Sequence, residues 1–444
     1  MPLPRRSPAL TATTATDQDA AAPRVLLLHT TTPHPDAARH LTAVAASLRA
    51  GGAEVIHLTA REQAERSDPA PATGATGATR AAGARLLRRA GQPGVDLAFH
   101  LRAVWTAAAG ARALGPVDSV VAGDVTLAPA GSAAARLTGA SRVPVLFHGV
   151  DMWTMRPHLR LLLRRDPLLY PVTSSSFSAG ALSPVRMGAI IPPGLEHRWR
   201  ETLLAEAARR RPLPPMPTVL SVFPLGDWES KGLTTLVDAL DSAAAALGPV
   251  RLVIAGAGPA PGALHSVVAA RKHTELSEDP GDAALARLYA TADLFALCTR
   301  TRTRPPVSGE AHPTTLLEAQ LAGCAVIGPA QGGSPDAYQR GATGWTPADE
   351  SVPALAHILE DLLADRARLA RAGRLASEWA QSVTDPDDHV RAVFAALLGR
   401  QPQPRTDSEV AGQELTGQPA PRSPESPAPQ GSQGPAEEAR AGRP

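Results

Sequence analysis

Residues 24–52 read Arg24-Val-Leu-Leu-Leu-His-Thr-Thr-Thr-Pro-His-Pro-Asp-Ala-Ala-Arg-His-Leu-Thr-Ala-Val-Ala-Ala-Ser-Leu-Arg-Ala-Gly-Gly52. The unbroken apolar run from Val25 to Leu28 fits a strand covered on both faces. A polar loop follows, and from Ala37 to Ala50 apolar residues return at helical spacing until Gly51-Gly52 stops them. The pattern is strand, loop, helix, stop. It repeats, with further short strands predicted at Val55 to Leu58, Val95 to Phe99, Val117 to Ala122 and Val143 to Phe147. Strands alternating with helical stretches imply a parallel sheet wound by right-handed crossovers.

The same alternation restarts after a proline-dense stretch, Arg211-Pro-Leu-Pro-Pro-Met-Pro217, which reads as a linker. Strands are predicted there at Val219 to Phe223, Leu252 to Ala255, Leu294 to Leu297 and Ala325 to Ile327. A chain of 444 residues is long enough for two separate cores. The expected organisation is a disordered leader over 1–22, an α/β domain over 23–195, a linker over 196–217 and a second α/β domain over 218–383. A terminal helix over 384–399 and a disordered tail over 400–444 complete it. The tail has almost no bulky apolar residue, so burial there cannot offset the entropy of ordering. Asp68 to Gly83, rich in Pro, Ala, Thr and Gly, reads as a mobile surface loop.

Composition narrows the partners. Lys and Arg number 44 against 42 Asp and Glu, so no large positive field points to nucleic acid. The only cysteines, Cys298 and Cys324, provide neither a disulfide framework nor a paired-Cys zinc site, which suits a reducing cytoplasm. Arg5 and Arg6 are not followed by an apolar core with a cleavage site, and no apolar run reaches the ~18 residues of a membrane span. Membrane contact is therefore expected to be peripheral. Arg156, Arg160 and Arg164 recur at four-residue spacing beside Leu159, Leu162 and Leu163. This basic amphipathic pattern reads first as leucines packed inside with arginines in water, and second as a contact with an anionic membrane.

The chemistry concentrates in Ser308-Gly-Glu-Ala-His-Pro-Thr-Thr-Leu-Leu-Glu-Ala-Gln-Leu-Ala-Gly-Cys-Ala-Val-Ile327. Pro313 suits a helix start, Thr314 to Leu321 continue it, and Gly323 ends it before a buried strand. Glu310 then lies in the loop feeding the helix N-terminus, with Glu318 one to two turns inside. Amides at such a terminus attract phosphate, and carboxylates beside them accept hydrogen bonds from sugar hydroxyls.

This Glu-x7-Glu pair, followed by Ala, Gly, a Val-Ile strand and Gly-Gly, resembles retaining glycosyltransferases of family four. Ser230-Lys-Gly-Leu-Thr-Thr-Leu, Leu252-Val-Ile-Ala-Gly-Ala-Gly-Pro and Tyr289-Ala-Thr-Ala-Asp-Leu-Phe match the family's elements upstream. Gly332-Gly333 to Asp336 and Gly341-Ala-Thr-Gly344 continue in the family's order. In the first half Phe147-His-Gly-Val-Asp151, Thr173-Ser-Ser-Ser-Phe-Ser178 and Ile190-Ile-Pro-Pro-Gly194 also fit. The resemblance implies the GT-B fold, two Rossmann-like doubly wound domains facing a cleft, with acceptor side first and donor side second. It implies a nucleoside-diphosphate sugar as substrate, an acceptor it does not identify, and no catalytic metal or other cofactor. Lys231 is expected on the leaving diphosphate, Glu310 and His148 on the donor sugar, and Glu318 on the ribose. Gly309, Ala311, His312, Pro313, Thr314, Thr315 and Gly256 are expected to line the donor, with Asp151 beside His148.

The sequence also departs from the family. Leu225-Gly226-Asp227 stands where a basic residue usually precedes the lysine, Ala311 replaces a common glycine, and Thr30 to Pro35 lacks paired glycines. Arg300, Arg302 and Arg304 are candidates to supply the missing charge. Gly256-Ala-Gly-Pro-Ala-Pro261 has proline where a dinucleotide fingerprint needs glycine, which argues against a nicotinamide cofactor. Asp385-Pro-Asp387 reads as a helix cap rather than a metal motif, and Gly-x-Ser-x-Gly is absent. Two other functions fit the same fold: a nucleotide-sugar epimerase and a degenerate donor-binding subunit.

Overall fold

A computed structural model describes residues 21–30, 35–60, 93–149, 151–209 and 215–402, all within one compact unit. Residues 1–20 of the expected leader, the 68–83 loop, residues 31–34 of the first loop, linker residues 210–214 and the tail from 403 lie outside the described residues.

The first lobe runs β1 Arg24–Thr30, α1 Pro35–Ala50, β2 Glu54–Ala60, α2 Pro93–Leu114, β3 Ser119–Ala122, α3 Ala128–Thr138 and β4 Val143–Leu146. It continues through α4 Asp151–Thr154, α5 Pro157–Arg165, β5 Leu169–Thr173, α6 Ser176–Ala181 and β6 Ala189–Ile190, after which α7 His197–Ala208 packs on the second lobe through Leu203. Its six strands pair in parallel in the order β2-β1-β3-β4-β5-β6. The second lobe runs β7 Thr218–Val222, α8 Leu233–Leu247, β8 Arg251–Gly256, α9 Gly262–Ala269, β9 Thr274–Glu278, α10 Asp282–Thr291 and β10 Leu294–Ala296. After these come α11 Thr314–Leu321, β11 Ala325–Ile327, β12 Gly344–Trp345, α12 Val352–Ala364, α13 Arg366–Val383 and α14 Pro386–Leu398. These six strands are also parallel, in the order β12-β11-β10-β7-β8-β9.

One predicted strand is wrong. Val95 to Phe99 is the opening of α2, a 22-residue helix. The apolar run there continues at Ala103, Ala107 and Ala111, all buried, and that spacing of four is a helical face rather than the period of a strand. Four strands escaped prediction. β9, Thr-Glu-Leu-Ser-Glu, is a half-exposed edge strand without an apolar run, and β6 and β12 have two residues each. β5 carries a proline, Pro171.

In α5, Leu159 and Leu163 are buried in the first lobe's core while Arg164 is exposed, so this segment follows the packing reading. Asp385 caps α14, accepting hydrogen bonds from the amides of Asp387 and Asp388 at 3.0 Å. That helix returns to the first lobe, where Val393, Phe394 and Leu397 pack with Val25, Leu27, Val44 and Leu48. Gly51 does more than end α1: a Cβ there would sit 2.2 Å from the Phe394 ring.

Strand order reverses between β1 and β3 in one lobe and between β7 and β10 in the other. Loops at the carboxyl ends of such strands form the crevice that takes ligands in doubly wound sheets. Lys231 follows β7 and Glu310 follows β10, so topology alone brings them to one edge.

Candidate active site

Two close backbone contacts build the second lobe's half of the site. Gly232 has φ +72°, and a Cβ on it would lie 2.0 Å from the Cys298 carbonyl oxygen. Glycine therefore lets the β7 loop press against the chain leaving β10. That approach delivers Lys231, whose Nζ donates to Glu310 Oε1 at 2.7 Å. The same oxygen accepts from Thr299 Oγ1 at 2.6 Å. Side chains of Lys231 and Glu310 are only 19% and 13% exposed, so the pair is shielded from much of the solvent. Thr299 carried no signal in the sequence beyond lying at the strand's end.

The stretch from Thr299 to Glu310 explains where the three arginines go. Arg302 and Ser308 exchange backbone hydrogen bonds of 2.8 and 3.1 Å, pinching off the intervening residues as a small projecting loop. Arg302 and Arg304 are exposed on it. Arg300 is half-buried, its amide bonded to the Ser230 carbonyl at 3.0 Å. The Leu225–Asp227 stretch is a short 3-10 turn, and the Asp227 carbonyl accepts from Lys231 N at 3.0 Å. It shapes the lysine loop.

Glu310, Ala311, His312 and Pro313 lead into α11, whose N-cap is Pro313 and which has no side-chain cap. Amides of Thr314 and Thr315 open the helix there, with the partial positive charge of its dipole. Gly332 and Gly333 support the loop from below. Gly333 N donates to the Glu310 carbonyl at 2.9 Å. A Cβ at Gly333 would meet the Ala311 carbonyl oxygen at 1.6 Å and Ser175 Oγ at 2.5 Å. Gly256, at the end of β8, is held as tightly, 1.7 Å from the Phe223 carbonyl oxygen by the same measure. Glu318 is buried and accepts from the Tyr289 hydroxyl at 3.0 Å. Burial pushes its carboxyl up, opposed by Tyr289, Arg39, Trp199 and Thr314 around it. Tyr289, wholly buried, thus holds Glu318 together with Trp199 and Thr314.

In the first lobe, Asp151 accepts from the amides of His148 and Gly149, each at 2.9 Å, closing a tight turn with Gly149 at φ +155°. Burial pushes the Asp151 carboxyl up. The turn holds His148 half-buried at the end of β4. Both of its ring nitrogens have protein partners: Nε2 lies 2.5 Å from the Gly123 carbonyl and Nδ1 lies 3.1 Å from Nδ1 of His40 on α1.

The lobes meet beside the 309–313 loop. His312 Nδ1 lies 3.0 Å from the Ser174 carbonyl. A carbonyl only accepts, so Nδ1 carries the proton, and burial pushes the ring's pKa down to about 4. Asp336 accepts from Ser176 N at 2.7 Å and from Ser176 Oγ at 2.8 Å. Trp153 lies against Gly309, its ring 2.9 Å from where a Cβ would be. Lys231, Glu310 and the α11 terminus are therefore one cluster, Glu318 sits deeper beside Tyr289, and His148 lies at the strand ends of the other lobe.

Two doubly wound parallel sheets whose strand-end loops meet in this way define the GT-B fold. Residues 217–365 match the family described as Glycosyl transferases group 1. A GDP-mannose-dependent alpha-(1-6)-phosphatidylinositol monomannoside mannosyltransferase of Mycobacterium tuberculosis is 34% identical over 259 residues, 55% of this chain. The chain covers 66% of that relative, just under two thirds of its length. Among solved structures, a glycosyltransferase from Rickettsia africae superposes with a TM-score of 0.62 over 90% of this chain and 100% of its own, at 15% identity. Anabaena HepE in complex with UDP-glucose gives 0.58 over 85% of this chain and 100% of its own, at 17% identity.

Proposed function

We propose that the protein is a retaining glycosyltransferase of family four, acting in the cytoplasm and transferring a hexose-type sugar from a nucleoside diphosphate. The observation that carries this reading is the Lys231–Glu310 pair at the uncapped start of α11. A cation and helix amides suit a diphosphate whose charge grows as the glycosidic bond breaks. A carboxylate within reach of that cation suits the sugar hydroxyls, and Glu318, farther into the helix, suits the ribose. Retention follows if acceptor and leaving diphosphate share one face of the sugar, the diphosphate helping to deprotonate the acceptor without a metal. The protein's contribution is then orientation and electrostatics. The matched segment and the GDP-mannose-dependent relative support a nucleotide-sugar donor.

A thermal-shift panel of nucleotide sugars, starting with GDP-mannose and UDP-glucose, tests donor binding, since a ligand of the native state raises its apparent stability. An α-linked donor is expected to give an α-linked product, read from the anomeric coupling in proton NMR. A β-linked product would overturn retention. Recovery of an isomerised donor would move the protein to the epimerases, and binding without turnover would leave a donor-binding subunit.

We also propose that the acceptor side meets an anionic lipid surface chiefly through α2, the α5 leucines Leu159 and Leu163 being buried. Leu101 and Trp105, one turn apart on α2, are 62% and 73% exposed. Arg102 and Arg112 are exposed on the same helix, as are Leu161, Arg164 and Arg165 on α5. Rings of His100 and His158 at 5.6 Å join the two helices. Exposed aromatic and aliphatic groups among arginines suit the interface of an acidic bilayer. Cosedimentation should show binding to phosphatidylcholine vesicles containing phosphatidylglycerol, and Trp105→Glu should weaken it about tenfold, the scale of one lost apolar anchor. Equal binding by the variant would exclude this surface.

A further inference from the structure

We propose that His40 is a positioning residue for His148, the two rings forming one proton-linked pair that fixes the tautomer and orientation of His148. The proposal rests on the reading of His148 as part of the donor site. Hydrogen-bond chemistry fixes the protons. The Gly123 carbonyl can only accept, so at 2.5 Å it requires the proton of His148 on Nε2. His148 Nδ1 is then a bare acceptor, and the 3.1 Å contact requires His40 to donate from its own Nδ1. The rings stand nearly perpendicular, 88° apart, so His40 meets its partner edge-on. His40 is buried, and its far nitrogen, Nε2, is covered and meets no polar group among the described residues. Nothing there competes for the ring's orientation.

The single proton between the facing nitrogens makes the pair respond as a unit. Two N–H groups cannot point at each other across 3.1 Å, so the protons of the two rings are set together. Burial, and after it the rings of His148, His389 on α14 and His312, hold His40 well below the usual histidine range, so it stays neutral and carries one proton. Arg39, the next residue on α1, acts on Glu318 and Tyr289.

The pair is testable in the free full-length protein. With nitrogen-15 in the histidine rings, His148 should carry its proton on Nε2, and a through-hydrogen-bond coupling should link Nδ1 of His40 to Nδ1 of His148. A proton on His148 Nδ1 at neutral pH, or no coupling when both nitrogens are observed, would overturn the proposal. Two variants then test positioning. His40→Leu cannot donate to Nδ1 of His148, whereas His40→Asn can, through its side-chain amide. Transfer should fall about tenfold in kcat with little change in KM for His40→Leu, and its nitrogen-15 signals should show the His148 ring no longer held in one tautomer. His40→Asn should recover both. An unchanged kcat and an unchanged His148 tautomer in a folded His40→Leu would show His40 to be mere packing. If the coupling is present but no variant or wild type transfers sugar, the proposed function fails and the pair stands.

Discussion

Lys231→Ala is expected to lower turnover at least about tenfold, roughly 1.4 kcal/mol of transition-state stabilisation, with a smaller effect on donor affinity. The asymmetry comes from where charge develops. In the bound donor the diphosphate charge is partly shared with the sugar bond, and it grows on the leaving oxygens as that bond breaks, so a point cation there matters most in the transition state. The structure adds a second consequence, since Lys231 also neutralises Glu310 at 2.7 Å in a partly shielded setting. Removing it leaves Thr299 as the remaining side chain seen to bind that carboxylate oxygen. A double-mutant comparison separates the roles. If Lys231 acts only by holding Glu310, then Lys231→Ala should add nothing in a Glu310→Gln background. If it acts on the diphosphate, the loss should persist there. Unchanged turnover in Lys231→Ala would remove the lysine from the mechanism.

Much of the architecture was legible because buried parallel strands leave a strong mark. Val25 to Leu28 is an unbroken apolar run and Val219 to Phe223 is interrupted only by Ser221, and both are interior strands. The misreading of Val95 to Phe99 and the omission of β9 share one cause. In an alanine-rich chain with 3% aromatics, the contrast between periods is weak. A short apolar window then looks like a strand even when it opens a long helix. A half-exposed edge strand such as Thr274–Glu278 shows no apolar run at all.

At the site, residue types and order pointed to Glu310, Glu318 and Lys231, but not to what holds them. Thr299 and Tyr289 bind the two glutamates, and each comes from another element, tens of residues away in the case of Tyr289. No local pattern encodes such partners, because they are chosen by packing. The same is true of His40, separated from His148 by 108 positions and brought to it by the adjacency of α1 and the strand ends. His148 was read from its motif, whereas the engagement of both its ring nitrogens was visible only once Gly123 and His40 were placed.

Glycines in the same motifs carry a role that composition hides, and Gly333→Ala should expose it. The added Cβ would stand 1.6 Å from the Ala311 carbonyl oxygen and 2.5 Å from Ser175 Oγ, so the backbone of the donor loop must move. Ser175 can yield by rotating its side chain, but the carbonyl cannot, because it belongs to the turn that sets Glu310 and the start of α11. Overpacking of this kind costs about 1–3 kcal/mol. It should also weaken the Gly333 amide's bond to the Glu310 carbonyl, now 2.9 Å. Donor affinity and turnover should therefore both fall by tenfold or more, beyond any loss expected from the lower melting temperature. Gly281→Ala is the matched control, since a Cβ there meets nothing within 4 Å, and it should leave affinity and melting temperature close to those of wild type. Near-wild-type donor binding by a folded Gly333→Ala would show that the loop tolerates displacement and that Glu310 does not depend on the support beneath it.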